Sequence, residues 1–547
     1  MSHLTRDLLA PKSSEDFNKE WARKVLVSYF TKTDKDWLLA DVLKVVDLTI
    51  TDNQNPGMLS NSYVLDVYYR NSKDSDLISE SWFVKVPKSV ATSPMDAVEI
   101  FAYKELFPKL SRIYDAVNVE LRLPVPLMLH CCHRGDGKCD ILVLENLHEE
   151  GYEPLKPGTC GLSYMRATMR SLATIHATTA VFLDFQGGKD VILNRFKVIK
   201  DHTLPKSHMV KDIMQTYLLP YIIYLSVVQP DLQHQLSLLL KFHKHMYSAF
   251  RKVKKEVITH LGKTLIHGDS KIDNFMYKKI TYSLEEEYSA QMIDWQGICL
   301  DYVTGDLIWT LYGFMKNLPD KNATVDTYVD YSLEYYHREL LSMFKTLGVK
   351  CSLLPKDEYD AIQAIQKGFI YEFMKTVLVK PLFNLKNPEE LLKWSINKVE
   401  GKDGGPPPSL EDVFKSGSSF ANFIHLYFTI ATEIGVFHEL GELCIASMRE
   451  SIFSGGEEES EDSEVEDHGE TPIEQTKDPN ESLLQENKEQ NVPLVEQNIN
   501  ISETPSETRT EVLLGDVQNE GNECSISTSG RIKDEESDTT DNTPSLI

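Results

Sequence analysis

Apolar and polar positions alternate with period two in two early stretches of the chain. Tyr63, Leu65, Val67 and Tyr69 alternate with Ser62, Val64, Asp66 and Tyr68, which is a strand pattern. Trp82, Val84 and Val86 alternate with Phe83 and Lys85, which predicts a second strand with Lys85 on the opposite face. The polar link Asn71-Ser72-Lys73-Asp74-Ser75-Asp76 suits a hairpin between them. Ser93 then offers a helix cap, Pro94 a first-position residue and Asp96 an answer to the cap. A helix is expected from there to about Leu106. A further strand pair is predicted near 126–132 and 140–145, joined by a turn at Arg134-Gly135-Asp136-Gly137-Lys138.

Beyond this point the pattern becomes mostly helical, with a strand-rich insert at 264–295. From Ser454 the sequence turns polar, acidic and rich in Ser, Thr, Asn and Gln. Such a segment buries too little apolar surface to offset its ordering entropy, so it is expected to be disordered. The expected organisation is a β-rich lobe over 1–145 with one inserted helix, a helical lobe over 146–453 and an acidic tail over 454–547. No internal repeat is visible.

Charge sharpens this division. The formal net charge of −26 argues against a general nucleic-acid binder, because phosphate is repelled. Residues 455–547 hold 26 acids and 5 bases, whereas the other 454 residues hold 57 and 52. The acidity therefore sits in the tail. Eight cysteines are scattered through the chain, and no apolar run opens it. Reduced thiols and a cytoplasmic location are expected. The most apolar run, Tyr217 to Val228, is too short to span a membrane, so no membrane association is expected. His130-Cys131-Cys132-His133 with Cys139 has zinc-like composition, but adjacent strand residues point to opposite faces and do not converge on one ion.

The strongest chemical signal is His267-Gly268-Asp269-Ser270-Lys271-Ile272-Asp273-Asn274, at the end of the apolar run Thr264-Leu265-Ile266. A second run, Gln291-Met292-Ile293, delivers Asp294. The pattern H-x-D-x-x-x-x-N followed by a strand-end Asp has a logic in phosphoryl transfer. One carboxylate, Asp269, orients the acceptor hydroxyl or takes its proton. An amide oxygen, Asn274, and a second carboxylate, Asp294, hold Mg²⁺ against the phosphates of ATP. Such a site also needs a strand lysine and a helical glutamate to hold it. Lys85 suits the first role. Glu99 is preferred for the second, with Glu105 as its competitor on the same helix. The segment Asn55 to Ser62 precedes the Lys85 hairpin and is either an ordinary turn or a phosphate-covering loop. Gly57, Asn61 and Ser62 are its candidates for nucleotide contact, although a single glycine is not a G-x-G-x-x-G loop. Adenine is expected at the lobe junction, read by backbone groups around Glu145 and Leu147.

Taken in order, these pieces resemble the ecdysteroid kinase-like family, within the larger choline kinase and aminoglycoside phosphotransferase group. They are Pro56-Gly57 with Asn61-Ser62, Phe83-Val84-Lys85-Val86-Pro87, the run Glu99 to Pro108, and Leu142 to Leu147 with Gly151-Tyr152. His267-Gly268-Asp269 to Tyr277, Ile293-Asp294-Trp295-Gln296 and Gly305-Asp306-Leu307 follow. The resemblance covers about residues 40–450. It implies an α+β, two-lobed protein-kinase-like fold and ATP-dependent phosphorylation of a small-molecule hydroxyl. The acceptor is an ecdysteroid or another hydroxylated metabolite, with choline, an aminoglycoside or a protein as alternatives. Lys271 stands where the family often has Trp, and resembles the protein-kinase lysine that neutralises the transferring phosphate. Trp295 stands where Phe is usual.

The alternative of a different class is a catalytically inactive, kinase-like binding or scaffold protein. Intact Lys85, Asp269, Asn274 and Asp294 argue against it. In the tail, Ser454, Ser460 and Ser463 lie among acids, and Ser545-Leu546-Ile547 suits a domain that captures C-terminal carboxylates. A tail-binding protein partner is one expectation; an acidic segment that simply aids solubility is the other.

Overall fold

The computed structural model describes residues 11, 14–32, 42–52, 60–72, 75–87, 94–133, 140–156, 158–201, 204, 207–281, 286–318, 325–385, 387–402, 405–408 and 420–453. Gly57 and most of its loop, the cap Ser93, the 134–138 turn and the tail from Ser454 lie outside these residues.

Five antiparallel strands form the first lobe: β1 (Lys44–Asp52), β2 (Ser60–Arg70), β3 (Ile78–Pro87), β4 (Met128–His133) and β5 (Asp140–Glu145). Their spatial order is β1-β2-β3-β5-β4. The β2–β3 hairpin pairs Tyr69 with Ile78 and Ser62 with Lys85, as its alternation predicts. Period two then sorts the faces. Trp82, Val84 and Val86 join Leu65, Val67, Ile141 and Val143 in a core under helix α1 (Lys19–Lys32). Lys85 points the other way, toward the second lobe.

The expectation of a single inserted helix is corrected here by α1. Its buried Trp21, Ala22, Val25 and Leu26 form a helical stripe that covers the outer face. Strand β1 is likewise additional. It lies at the sheet edge with Val45 buried and Leu48 and Ile50 only half-buried, and a register shift between Val45 and Asp47 interrupts its alternation. The helix expected to end near Leu106 runs further. Helix α2 (Pro94–Phe101) widens into a π turn at Ala102–Leu106 and continues as α3 (Phe107–Ala116). Pro108 explains the widening: in a regular helix its ring would collide with the carbonyl four residues back.

The second lobe is helical around a single large core. Its central helix α4 (Leu162–Phe185) is buried along most of its length, and its buried hydroxyls are bonded. Thr179 Oγ1 donates to Leu265 O at 3.0 Å, for example, and Ser171 Oγ to Ala290 O at 2.9 Å. The strand insert extends past its expected end. It comprises β6 (Lys263–Ile266), β7 (Phe275–Lys279), β8 (Tyr288–Met292) and β9 (Cys299–Tyr302). Strand β7 pairs with β8, and β6 with β9. A small sheet lobe and a large helical lobe make this the two-lobed, protein-kinase-like α+β fold. Among the described residues no helix is long and apolar enough to cross a membrane.

Candidate active site

Lys85 Nζ sits 2.7 Å from Glu99 Oε1 and 3.1 Å from Asp294 Oδ1. Three distant segments thus meet on one ammonium. Burial alone would lower the lysine pKa, but the carboxylates of Glu99 and Asp294 outweigh it and raise the pKa above its ordinary value. The ion pairs keep Lys85 charged in a partly dry cleft. Glu105, the competitor to Glu99, instead points to solvent and pairs with Lys109 at 3.3 Å.

The H-G-D loop leaves β6 and is gripped from behind by Asp306, in the first turn of helix α5 (Thr304–Lys316). The fully buried Asp306 carboxylate accepts from the backbone N–H of His267 and of Gly268, each at 2.8 Å. His176 Nε2, from α4, lies 3.0 Å away. Burial pushes the Asp306 pKa up, but the bond from His176 and the backbone bond from His267 hold it below the usual carboxylate value. Ser270 Oγ donates to Asp306 O, and Thr310 Oγ1 to Ser270 O, both at 2.7 Å.

Within the loop, His267 Nδ1 accepts from Asp269 N–H at 3.3 Å, and its Nε2 lies 2.9 Å from Ile293 O. A carbonyl only accepts, so the proton sits on Nε2 and the ring is neutral. Asn274 Nδ2 donates to Asp269 O at 2.7 Å and to its Oδ2 at 3.1 Å. Lys271 Nζ donates to the same Oδ2 at 3.1 Å. The Asp269 side chain remains 42% exposed, open to an incoming hydroxyl.

Two glycines weld this loop to the one bearing Asp294. A Cβ on Gly268 would stand 2.1 Å from Gly297 O, and one on Gly297 would stand 2.8 Å from His267 O. Gly268 also has φ +76°, a conformation that costs a side chain dearly. Asp294 itself is left-handed at φ 65°, ψ 60°, uncommon for a residue other than glycine. Ile293 N–H donates to Asn274 O at 2.9 Å, which ties the ends of the two strand segments together. A run of rings extends the weld. His267 lies 4.5 Å from Trp295, Trp295 4.9 Å from Phe107, and Phe107 5.1 Å from Tyr103 on the helix that carries Glu99.

The donor set suits a hard divalent cation. Asn274 spends its amide nitrogen on Asp269, which leaves its side-chain carbonyl oxygen to accept, one strand segment from Asp294. Magnesium prefers such oxygens. At the lobe junction, Glu145 Oε1 accepts from Leu127 N–H at 3.0 Å and is paired with Arg122. The carboxylate therefore takes the bond that a regular ladder would give to the Glu145 carbonyl. Glu145 N–H donates to Leu127 O, and Leu147 O accepts from Tyr152 N–H, each at 2.9 Å. Asn61 and Ser62 lie on β2 beside Val86 and Lys85.

Sequence reasoning assigned no role to Asp306, His176, Gly297 or Tyr103. The Gly305-Asp306-Leu307 element was visible, but its acceptor role depends on contacts 38 and 39 residues away. Among the described residues no cluster of three or more His, Cys, Asp or Glu is placed to hold a metal. His130 is buried with Nδ1 3.0 Å from Ser28 Oγ.

A strand lysine held by a helix glutamate, an H-G-D loop and a second strand-end carboxylate, on a two-lobed fold, define a kinase-like protein. The chain belongs to the ecdysteroid kinase-like family, which matches residues 56–349, more than half its length. That membership supports a small-molecule kinase. Similar solved structures include a choline kinase from Cryptosporidium parvum Iowa II, at 9% identity over 80% of this chain and 97% of that chain, TM-score 0.34. An amicoumacin kinase, in complex with AMP-PNP and Ca²⁺, is 10% identical over 72% of this chain and 91% of its own, TM-score 0.31. An aminoglycoside phosphotransferase from Streptomyces rimosus is 12% identical over 54% and 91%, TM-score 0.25. No curated protein matches the sequence.

Proposed function

We propose that this chain is an ATP- and Mg²⁺-dependent phosphotransferase acting on the hydroxyl of a small molecule, an ecdysteroid or another hydroxylated metabolite. The observation that carries this is the meeting of Lys85 with Glu99 and Asp294 beside Asp269 and Asn274. In this scheme the lobe over 1–145 binds the nucleotide and the lobe over 146–453 holds the catalytic loop and the acceptor. The protein works in the cytosol.

Each residue has a task. Lys85, held by Glu99, contacts the nucleotide phosphates. Asn61 and Ser62 border them from β2, and Gly57 is a further candidate for phosphate contact. The Glu145 carbonyl and Leu147 N–H read the adenine edge. Asp294 and the Asn274 carbonyl would hold Mg²⁺, which when bound offsets charge on the phosphates. Asp269 orients the acceptor hydroxyl and takes its proton, while Asn274 and Lys271 fix its carboxylate. Lys271 also offsets charge on the transferring group.

The test is transfer of labelled γ-phosphate from ATP to a panel of hydroxylated metabolites that includes ecdysteroids, with and without Mg²⁺. A phosphorylated product that requires both ATP and metal is the expected result. MgATP binding with no transfer to any acceptor would favour the inactive binding protein instead.

A further inference from the structure

Tyr103 follows Glu99 by one helical turn, so the two share a face of the helix. It sits in the π turn, where Phe107 N–H reaches back five residues to Ala102 O. Such turns recur at functional sites. The tyrosine is buried, and its hydroxyl has no hydrogen-bond partner among the described residues. Its ring meets Phe107 edge-on at 5.1 Å and 89°, and Phe107 meets Trp295 at 4.9 Å and 76°. Trp295 directly follows Asp294. Tyr103 is therefore linked through Phe107 to the Asp294–Trp295 turn, while its own helical turn carries Glu99, which meets Asp294 on Lys85.

A buried hydroxyl without a partner forfeits its hydration and gains nothing in return, and phenylalanine would fill the same space without that loss. Burial, and then the charges of Glu99 and Asp294, push the phenol pKa well above its ordinary value. The group is accordingly a donor at any working pH. What it lacks is an acceptor, and the charged groups that act on it are the carboxylates of Glu99, Asp294 and Glu145.

Hydrogen-bond accounting identifies which one. The following step rests on the proposed nucleotide site. Before nucleotide binds, Asp294 Oδ1 takes a bond from Lys85. With MgATP bound, Lys85 would turn toward phosphate and Asp294 toward metal, so Asp294 would lose a donor in the state where Tyr103 still has one to give. We propose that Tyr103 is a positioning residue for Asp294, its hydroxyl replacing Lys85 as donor to that carboxylate in the MgATP-bound state. One hydrogen bond is exchanged for another and no proton is transferred.

The experiment measures ATP binding by calorimetry, with and without Mg²⁺, together with thermal unfolding, on the full chain. Tyr103→Phe is expected to bind MgATP about tenfold more weakly, about 1.4 kcal/mol. Its affinity for metal-free ATP should stay unchanged, and without nucleotide it should melt no lower than wild type. In an Asp294→Ala background the same substitution should have no further effect on ATP affinity. Tyr103→Leu, which removes the ring as well, should lower the melting temperature and so separate packing from the hydroxyl. Wild-type MgATP affinity in Tyr103→Phe, or equal weakening with and without metal, overturns the inference and leaves the kinase assignment standing. A wild-type protein that binds no ATP overturns both.

Discussion

Replacing Asp306 by Asn tests how the catalytic loop is held. The carboxylate accepts three bonds: Gly268 N–H on Oδ1, and His267 N–H with His176 on Oδ2. An amide has one acceptor oxygen. In its better orientation that oxygen keeps the Oδ2 pair, and the NH₂ group faces the Gly268 N–H. One buried donor is then unsatisfied, at about 1–3 kcal/mol, and two charge-assisted bonds become neutral, at about 1 kcal/mol each. The total is about 3–5 kcal/mol. Unfolding entropy of about 2.1 cal/mol/K per residue, over a folded region of roughly 440 residues, converts this to a melting shift of about 3–5 °C. The displaced peptide joins His267 to Gly268, one residue ahead of Asp269, and an error of about 1 Å passed on to Asp269 costs about 10²-fold in rate. Differential scanning calorimetry and phosphate transfer are the assays. The pH dependence carries its own sign. The folded pKa of Asp306 lies below the unfolded value, so its contribution is present above about pH 4 and is lost as pH falls through the folded pKa. Asp306→Asn should lack that component of acid destabilisation. A variant that melts within about 1 °C of wild type and transfers phosphate normally would refute the proposed grip.

Three further substitutions follow from the same geometry. Asp269→Asn keeps the side-chain shape but cannot take the acceptor proton, so transfer should fall about 10²–10⁴-fold while calorimetric ATP affinity holds; wild-type turnover would remove Asp269 from that role. Asp294→Asn should weaken Mg²⁺-dependent ATP binding, and an unchanged metal requirement would take Asp294 out of the metal site. Gly268→Ala drives a Cβ to 2.1 Å from the Gly297 carbonyl at φ +76°. Left-handed strain of about 1–2 kcal/mol and overlap of about 1–3 kcal/mol should depress both stability and transfer, and a normal melting curve would show that the two loops can part at little cost.

Much of the architecture was legible because it is written in local periodicity. The β2–β3 hairpin follows from alternation over 62–69 and 82–86, and the same alternation turns Lys85 away from the Trp82 face. The H-x-D-x-x-x-x-N spacing and a strand-end Asp bring Asp269, Asn274 and Asp294 to one mouth, since short loops leave them little choice. What was not legible depends on long-range partners or on weak amphipathicity. Strand β1 lies at an edge, and the irregularity between Val45 and Asp47 cuts its alternation to the short stretch around Leu48 and Ile50. The stripe of α1 was present, but reads as helix only once there is a sheet face for it to cover. The helix end at Leu106 was missed because Pro108 reads as a stop, whereas a π turn absorbs it. His176 in an apolar helix reads like any buried histidine; its partner Asp306 lies 130 residues away. Glycines 268 and 297 look like loop punctuation until their backbones are seen to touch.

The charges in the cleft make nucleotide and metal binding interdependent. Lys85 and Lys271 face Glu99, Asp269 and Asp294, so the site carries one more negative charge than positive. The polyphosphate of ATP is strongly anionic and meets that excess at short range, where the effective dielectric is below that of water. On the proposed assignment, a divalent cation held by Asp294 and the Asn274 carbonyl would reverse the sign of the site. It would also compete with Lys85 for Asp294 and free ammonium donors for phosphate. Metal and nucleotide are then expected to raise each other's affinity by the same factor, as linkage requires. The acidity of the whole chain does not oppose this, because most of it lies beyond residue 454 and the remaining 454 residues are within 5 charges of neutrality. Among the described residues, the balance of five side chains around Lys85 and Asp269 would then set the electrostatic requirement for metal.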